Sequence, residues 1–203
     1  EQLRSIVVRE AGAPIALTPF MQVDDPIDML EYWARKAETA VYEQPMADVS
    51  FLGRPQRRIL RREAMGVVGA ITPWNAPLPM LMVKLAPALA AGCTLVLKPA
   101  ELTPLTALRI AALAAEAGIP DGVFNVLPGF GHTAGQALAL HMDVDCIGFT
   151  GSTRTGKRML EYAGQSNMKR VWLECGGKSP NIILADCPDL DRAAAAAASA
   201  IFF

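Results

Sequence analysis

Five short segments of the 203-residue chain combine residue types that could do chemistry. Thr72-Pro73-Trp74-Asn75-Ala76-Pro77 holds a carboxamide between prolines. A side-chain amide on so stiff a backbone can donate to a developing oxyanion, or it can be a turn residue that caps the helix behind it. Lys98-Pro99-Ala100-Glu101 sets a cation and a carboxylate three residues apart. A carboxylate at a strand end accepts hydrogen bonds from ribose hydroxyls, and the same spacing also makes a local ion pair beside a helix start. Gly129-Phe130-Gly131-His132-Thr133-Ala134-Gly135 misses the dinucleotide pattern G-x-G-x-x-G by one residue. Phe149-Thr150-Gly151-Ser152-Thr153-Arg154-Thr155-Gly156 gathers backbone amides, hydroxyls and a helix N-terminus at one place, which suits a phosphate or pyrophosphate. It lacks the Gly-Lys-Ser/Thr of a P-loop, so it gives no support to nucleotide hydrolysis. Either glycine-rich loop can equally be a tight turn.

The fifth segment runs Leu173-Glu174-Cys175-Gly176-Gly177-Lys178-Ser179-Pro180-Asn181. A glutamate at the end of an apolar strand, followed by two glycines, is expected to be poorly hydrated and mobile, conditions that raise a carboxyl toward a general base's range. Cys175 does not read as a nucleophile served by Glu174, because consecutive strand residues point to opposite faces and no histidine is near to stabilise a thiolate.

The elements that must position these segments follow from periodicity. Two helical patterns fill residues 1 to 44, the second starting near Asp24 with Ile27, Leu30, Ala34, Ala37 and Val41 at helical spacing. Residues 45 to 64 read as two short strands around Gly53, carrying five arginines at 54, 57, 58, 61 and 62. After Gly66, β-branched runs alternate with Ala/Leu-rich ones. Strands are expected at Val67–Ile71, Thr94–Leu97, Val123–Leu127, Cys146–Phe149, Val171–Leu173 and Ile182–Leu184. Helices are expected at about Leu78–Ala90, Pro104–Ala117, Thr133–His141 and Thr155–Ala163. This alternation predicts an α/β fold, a Rossmann-like parallel sheet with flanking helices, whose ligands bind at the carboxyl ends of the strands. All five segments fall there.

Composition narrows the partners. The 19 basic residues against 20 acidic give a net charge of −1, so no bulk field favours nucleic acid or an anionic membrane. The arginine-rich stretch could be an RNA-binding ribbon, but its alternation with Ile59 and Leu60 favours an exposed hairpin. Cys93, Cys146, Cys175 and Cys187 show no zinc or disulfide spacing, which fits a reducing cytoplasm and no metal. The apolar stretch from Pro77 to Leu97 contains three prolines, Lys84 and Gly92, and reads as a buried helix and strand rather than a membrane span. The start, Glu-Gln-Leu-Arg-Ser, has no secretory pattern and reads as an entry in mid-helix. Charged residues are only 19% and mean hydropathy is +0.25, which suggests surface meant for other subunits or for more chain.

In their order, Pro73-Trp74-Asn75, Lys98-Pro99-Ala100-Glu101, Gly129-Phe130-Gly131, Phe149-Thr150-Gly151-Ser152-Thr153 and Glu174-x-Gly176-Gly177-Lys178-Ser179-Pro180-Asn181 resemble the NAD(P)-dependent aldehyde dehydrogenase superfamily. The stretches 148–157 and 166–190 look most like bacterial 4-(γ-glutamylamino)butanal dehydrogenases. The resemblance implies the partial fold of that family, with residues 1–173 an NAD-binding domain, an oligomerisation hairpin at 45–64 within it, and 174–203 the start of a catalytic domain. It implies Asn75 as oxyanion donor and Glu174 as general base. For the cofactor it implies Ile71, Thr72, Pro73, Gly131 and Thr150 among the binding residues, Trp74 and Phe149 lining the cleft, Lys98 and Glu101 at the adenosine ribose, and Ser152 with the amides around Gly151 to Gly156 at the pyrophosphate. A carboxylate at position 101 disfavours an extra phosphate, so NAD is expected rather than NADP.

One departure stands out. The family's nucleophile is a cysteine just beyond a phenylalanine pair like Phe202-Phe203, and none of the four cysteines here takes its place. The expectation is therefore a fragment of a cytoplasmic NAD-dependent aldehyde dehydrogenase, a homodimer or homotetramer at full length. It oxidises an aldehyde, such as an aminoaldehyde or γ-glutamylaminobutyraldehyde, through a cysteine thioester, without nucleic-acid or membrane partners. The alternative is a non-catalytic nucleotide-binding or interaction module.

Overall fold

A computed structural model describes residues 1–202; of the Phe202-Phe203 pair, Phe203 therefore lies outside the described residues. Two helices, α1 (Gln2–Ala11) and α2 (Asp24–Glu38), come first, followed by the antiparallel strands β1 (Glu43–Phe51) and β2 (Arg54–Arg61). Asp24 and Asp25 in the first turn of α2 and Arg35 and Lys36 in its last suit the helix dipole. Every residue of the β1–β2 ribbon is exposed. Its arginines are partly engaged at home: Arg58 donates to the Ala47 carbonyl at 3.0 and 2.8 Å, and Arg61 lies 3.5 and 3.2 Å from Glu43 and Glu63.

The runs after Gly66 form β3 (Val67–Ile71), α3 (Pro77–Ala90), β4 (Thr94–Lys98), α4 (Leu105–Glu116), β5 (Phe124–Val126), α5 (Gln136–Leu140), β6 (Cys146–Gly151), α6 (Thr153–Gln165) and β7 (Arg170–Cys175). A last helix, α7, spans Leu190–Phe202. Five strands make a parallel sheet in the order β5-β4-β3-β6-β7. The chain winds from β3 outward to β5 and then restarts on the other side of β3 with β6, so β3 and β6 flank the topological switch point.

Each face of the sheet has its own core. Leu78, Leu81 and Leu85 of α3 pack with Ala107 and Ile110 of α4, Val7 of α1, and Leu95 and Leu97 of β4. Leu138 and Ala139 of α5 and Met159 of α6 pack with Ile71, Ile147 and Phe149. Leu78, Leu81, Leu95, Leu97 and Ile147 are fully buried, and each contributes roughly 1.5–3 kcal/mol by leaving water. The N-terminal helices brace the α4 side: Arg4 grips Asp24 at 2.9 and 2.8 Å, and the Glu10 carboxylate accepts from the first amides of α4, Leu105 at 2.7 Å and Thr106 at 3.0 Å, and from the Thr106 hydroxyl. That brace fixes the far end of the loop carrying Glu101.

Two sequence expectations need correction. Ile182–Leu184 forms no strand: the three residues are 74%, 46% and 66% exposed, with no neighbouring strand to satisfy their backbone groups among the described residues. The helix expected at Thr133–His141 begins as a π-type turn over Gly131–Gly135 and becomes α-helical only at Gln136, because Gly131 and Gly135 loosen its first turn. Strand β7 extends two residues beyond the expected Leu173, to Cys175.

Candidate functional site

Strand register aligns the chemistry. At the carboxyl end of β3, Ile71 stands opposite Lys98 of β4 on one side and Phe149 of β6 on the other, and Phe149 in turn faces Leu173 of β7. One residue further on, Thr150 pairs with Glu174, and after it Gly151 with Cys175. Four strand ends therefore deliver their residues to one level, at the switch point, and an open cleft of about 830 Å³ lies above them. Ile71, Thr72, Pro73, Trp74 and Asn75 line it from the β3 loop, Lys98 and Glu101 from the β4 loop, and Gly131 from the turn before α5. Phe149, Thr150, Gly151 and Ser152 line it from β6, and Glu174 from β7.

At the β4 end, Lys98 is buried and donates to Glu101 at 3.0 Å, while the carboxylate is half-exposed toward the cleft. The backbone N–H of Glu101, the Lys98 hydrogen bond and the Lys98 charge, with His132 adding to them, outweigh burial and hold its carboxyl below the ordinary value. It is thus ionised at neutral pH, an acceptor for hydroxyl donors. At the β6 end, Ser152 caps α6, its hydroxyl accepting from the Thr155 amide at 3.2 Å. The first amides of that helix have no carbonyl of their own to bond and carry the positive end of its dipole. A Cβ on Gly151 would sit 2.6 Å from the Phe149 ring, so only glycine lets the backbone close over that ring at the cleft floor.

Asn75 is exposed, and α3 starts on Ala76 with no side-chain cap, so the carboxamide is not the helix cap. It lines the cleft. Glu174 corrects its expectation: it is exposed, without the poor hydration expected at a strand end. Gly156 corrects another, because it lies outside the cleft lining. It sits buried in α6, where a Cβ would meet Cys175 Sγ at 2.7 Å and Leu173 Cδ1 at 3.5 Å, so it serves helix-to-strand packing.

Sequence reasoning missed Lys84. From the apolar helix α3 its ammonium donates to Thr150 Oγ1 at 2.7 Å, on the face of the sheet that Glu174 shares. Burial pushes its pKa down, and the Glu174 carboxylate opposes that shift. A single lysine in an otherwise apolar helix facing the sheet was the available signal. Thr155, Met80 and Val83 also line the cleft and went unmarked.

The cysteines differ sharply in setting. Cys93 and Cys146 are buried, and burial pushes the Cys146 thiol up to about 11. Cys187 is half-buried, its thiol 3.5 Å from the Asp189 carbonyl. Cys175 is exposed, its sulfur turned toward Gly156. Among the described residues, no helix is long and apolar enough to cross a membrane.

Comparison with protein families matches residues 1–203 to the aldehyde dehydrogenase family. The NADP/NAD-dependent aldehyde dehydrogenase PuuC of Escherichia coli (strain K12) is 56% identical over 171 residues, 84% of this chain and 34% of that protein. The gamma-glutamyl-gamma-aminobutyraldehyde dehydrogenase from Burkholderia cenocepacia J2315 superposes on all of this chain with a TM-score of 0.89 and 50% identity, over 40% of its own length. A mutant of the P. syringae indole-3-acetaldehyde dehydrogenase, solved with NAD+ and IAA, does so with a TM-score of 0.92 and 52% identity, again over 40% of its length. The chain thus spans less than half the length of these relatives.

Proposed function

This chain belongs to the aldehyde dehydrogenase family, and from that premise we propose that its cleft is the dinucleotide site of an NAD-dependent aldehyde dehydrogenase. The observation that carries the reading is the register that brings Lys98, Ile71, Phe149 and the Thr150–Glu174 pair to one level at the switch point. The residues fit the group. Glu101, ionised and facing the cleft, accepts from the adenosine ribose hydroxyls beside the buried Lys98 ammonium. The α6 N-terminus with Ser152 takes the pyrophosphate, and the closure of Gly151 over Phe149 leaves room for it. Ile71, Thr72, Pro73 and Trp74 form the wall of the cleft. Bound there, NAD supplies the hydride acceptor.

The remaining chemistry belongs to two side chains. Asn75 donates its amide to the oxygen of the aldehyde as that oxygen takes on negative charge, an interaction stronger in the transition state than in the ground state. Glu174 accepts a proton from the attacking group as general base, and its position on β7 opposite Thr150 holds it at the cleft edge. The attacking thiol is assigned to the part of the relatives' length that this chain does not span. Two observations support that assignment: Cys93 and Cys146 are buried, and Cys175, though exposed at the cleft edge, has its sulfur turned toward Gly156 in α6.

The substrate class proposed is an aminoaldehyde or γ-glutamylaminobutyraldehyde, supported by likeness to relatives named for γ-glutamylaminobutyraldehyde and, in Pseudomonas aeruginosa, for aminoacetaldehyde, the latter 46% identical over 197 residues. Residues 1–173 are proposed as the nucleotide-binding domain and 174–203 as the start of the catalytic domain, with β7 spanning the joint. The apolar side chains exposed on the β1–β2 ribbon support assembly into a homodimer or homotetramer, and the proposed compartment is the cytoplasm. The test is NADH production by the intact protein with γ-glutamylaminobutyraldehyde and aminoacetaldehyde, alongside an Asn75→Ala variant. Aldehyde-dependent NADH that the variant loses supports the reading; no NADH from any aldehyde contradicts it.

A further inference from the structure

Half of one sheet face has no helix over it. Register and alternation put Cys146, Gly148 and Thr150 of β6 beside Arg170, Trp172 and Glu174 of β7 on one side of the sheet. Ile147, Phe149, Val171 and Leu173 point to the other side and join the core under α5 and α6. On the first side, α3 and α4 pack with Ala70 of β3 and with Leu95 and Leu97 of β4, and among the described residues that core includes none from β6 or β7. Arg170, Trp172 and Glu174 are all exposed. Parallel sheets are found with both faces covered, so this half-face lacks its cover.

An apolar groove of about 480 Å³ occupies the gap. Val83, Pro87 and Ala91, four residues apart along α3, line one side of it, Trp172 of β7 lines the other, and Gly148 of β6 lies between them. Glycine inside a strand marks places where another backbone comes close, and a Cβ at Gly148 would meet nothing nearer than the Lys84 side chain at 3.8 Å. The winding of the sheet does not fill the gap. From β3 to β5 the chain moves one way with α3 and α4 on this side; from β6 to β7 it moves the other way, and a right-handed crossover then puts α6 on the opposite side. Another crossover outward from β7 would land on that opposite side too.

The width of the gap selects its occupant. Two uncovered strands about 4.8 Å apart take up about 10 Å, the spacing at which one helix packs beside another. Solved relatives superpose on all of this chain over only 40% of their own length, so the intact protein has chain from which such a helix can come. A tethered helix also avoids most of the translational and rotational entropy that a separate partner would lose.

We propose that this groove is the docking surface for one α-helix from the part of the relatives' length that this chain does not span, laid beside α3 over β6 and β7 with its apolar face on Gly148 and Trp172. The helix screens from water Lys84 and Glu174, which line the same groove. Nothing in this docking depends on what the cleft binds.

Hydroxyl-radical footprinting of the intact protein, read by mass spectrometry, tests it at Trp172, whose side chain is 56% exposed without a covering helix. The expected result is loss of most Trp172 oxidation relative to the unfolded protein, unchanged on dilution. Ready oxidation of Trp172 in the folded protein overturns the proposal. Protection that disappears as the protein is diluted to monomers overturns it as well, because the occupant is then a second copy. Trp172→Glu gives a second reading: under a seated helix it buries an unpaired charge and lowers Tm, whereas an unchanged Tm, as at an open surface site, contradicts the docking. Should that variant fail to fold, the wild-type footprint decides alone.

Discussion

The side chains assigned to the chemistry make separable claims. Asn75→Ala is expected to lower kcat by about 10²–10³-fold with little change in dinucleotide affinity, because the lost donor acts on charge that exists only during reaction. Glu174→Gln lowers kcat by about 10²–10⁴-fold, the range for a lost general base. Steady-state kinetics paired with NADH binding separates both from a structural effect, which would change binding as well. The cysteines give a test of the thiol assignment. Cys175 is exposed, whereas Cys146 is buried with its thiol pushed up to about 11. Since the thiolate is the reactive form, native alkylation by iodoacetamide near pH 8 modifies Cys175 and leaves Cys93 and Cys146 untouched, as mass spectrometry of the digests will report. Most of these residues were legible in the sequence, because strand-end loops in an α/β pattern are where ligands bind. Lys84 was not, since its importance comes from the 2.7 Å bond to Thr150, 66 residues away in sequence.

At the level of elements, the site depends on how strands hand over to helices. Ser152 both faces the cleft and caps α6. Ser152→Ala should therefore cost about 1 kcal/mol in a denaturant melt and also weaken NADH binding, a coincidence that a cap alone would not produce. Gly151→Ala is more severe, as the 2.6 Å approach to Phe149 forces the ring or the backbone to move. The alternation of β-branched and Ala/Leu-rich runs placed five of six expected sheet strands correctly, because each of the five finds a parallel neighbour in the sheet. It failed at Ile182–Leu184, whose apolar run reads like a buried strand yet meets no pairing edge among the described residues. Gly156 failed in the opposite direction: a loop pattern assigned it to the ligand, while close packing of α6 on β7 is what requires it.

For the molecule as a whole, low charge and positive mean hydropathy acquire a location. The β1–β2 ribbon exposes Met46, Phe51, Leu52 and Ile59, and β7 exposes Trp172. Isolated apolar side chains on a surface are ordinary, but a fully exposed two-stranded ribbon is at best marginal alone in water. Replacing Phe51 and Ile59 with Asp is expected to reduce the oligomer size seen by light scattering while circular dichroism stays unchanged; an unaltered size would remove the ribbon from the interface. The ribbon was visible in the sequence as alternation around Gly53, whereas its isolation from the body of the protein was not, since that depends on contacts between distant segments. The claim on which the rest depends is that the switch-point cleft binds a dinucleotide. Calorimetric titration with NAD+ tests it most directly. One saturable site per chain, weakened in Ser152→Ala and Gly151→Ala, is the expected result. No saturable heat from a sample whose circular dichroism shows the α/β fold intact would contradict it.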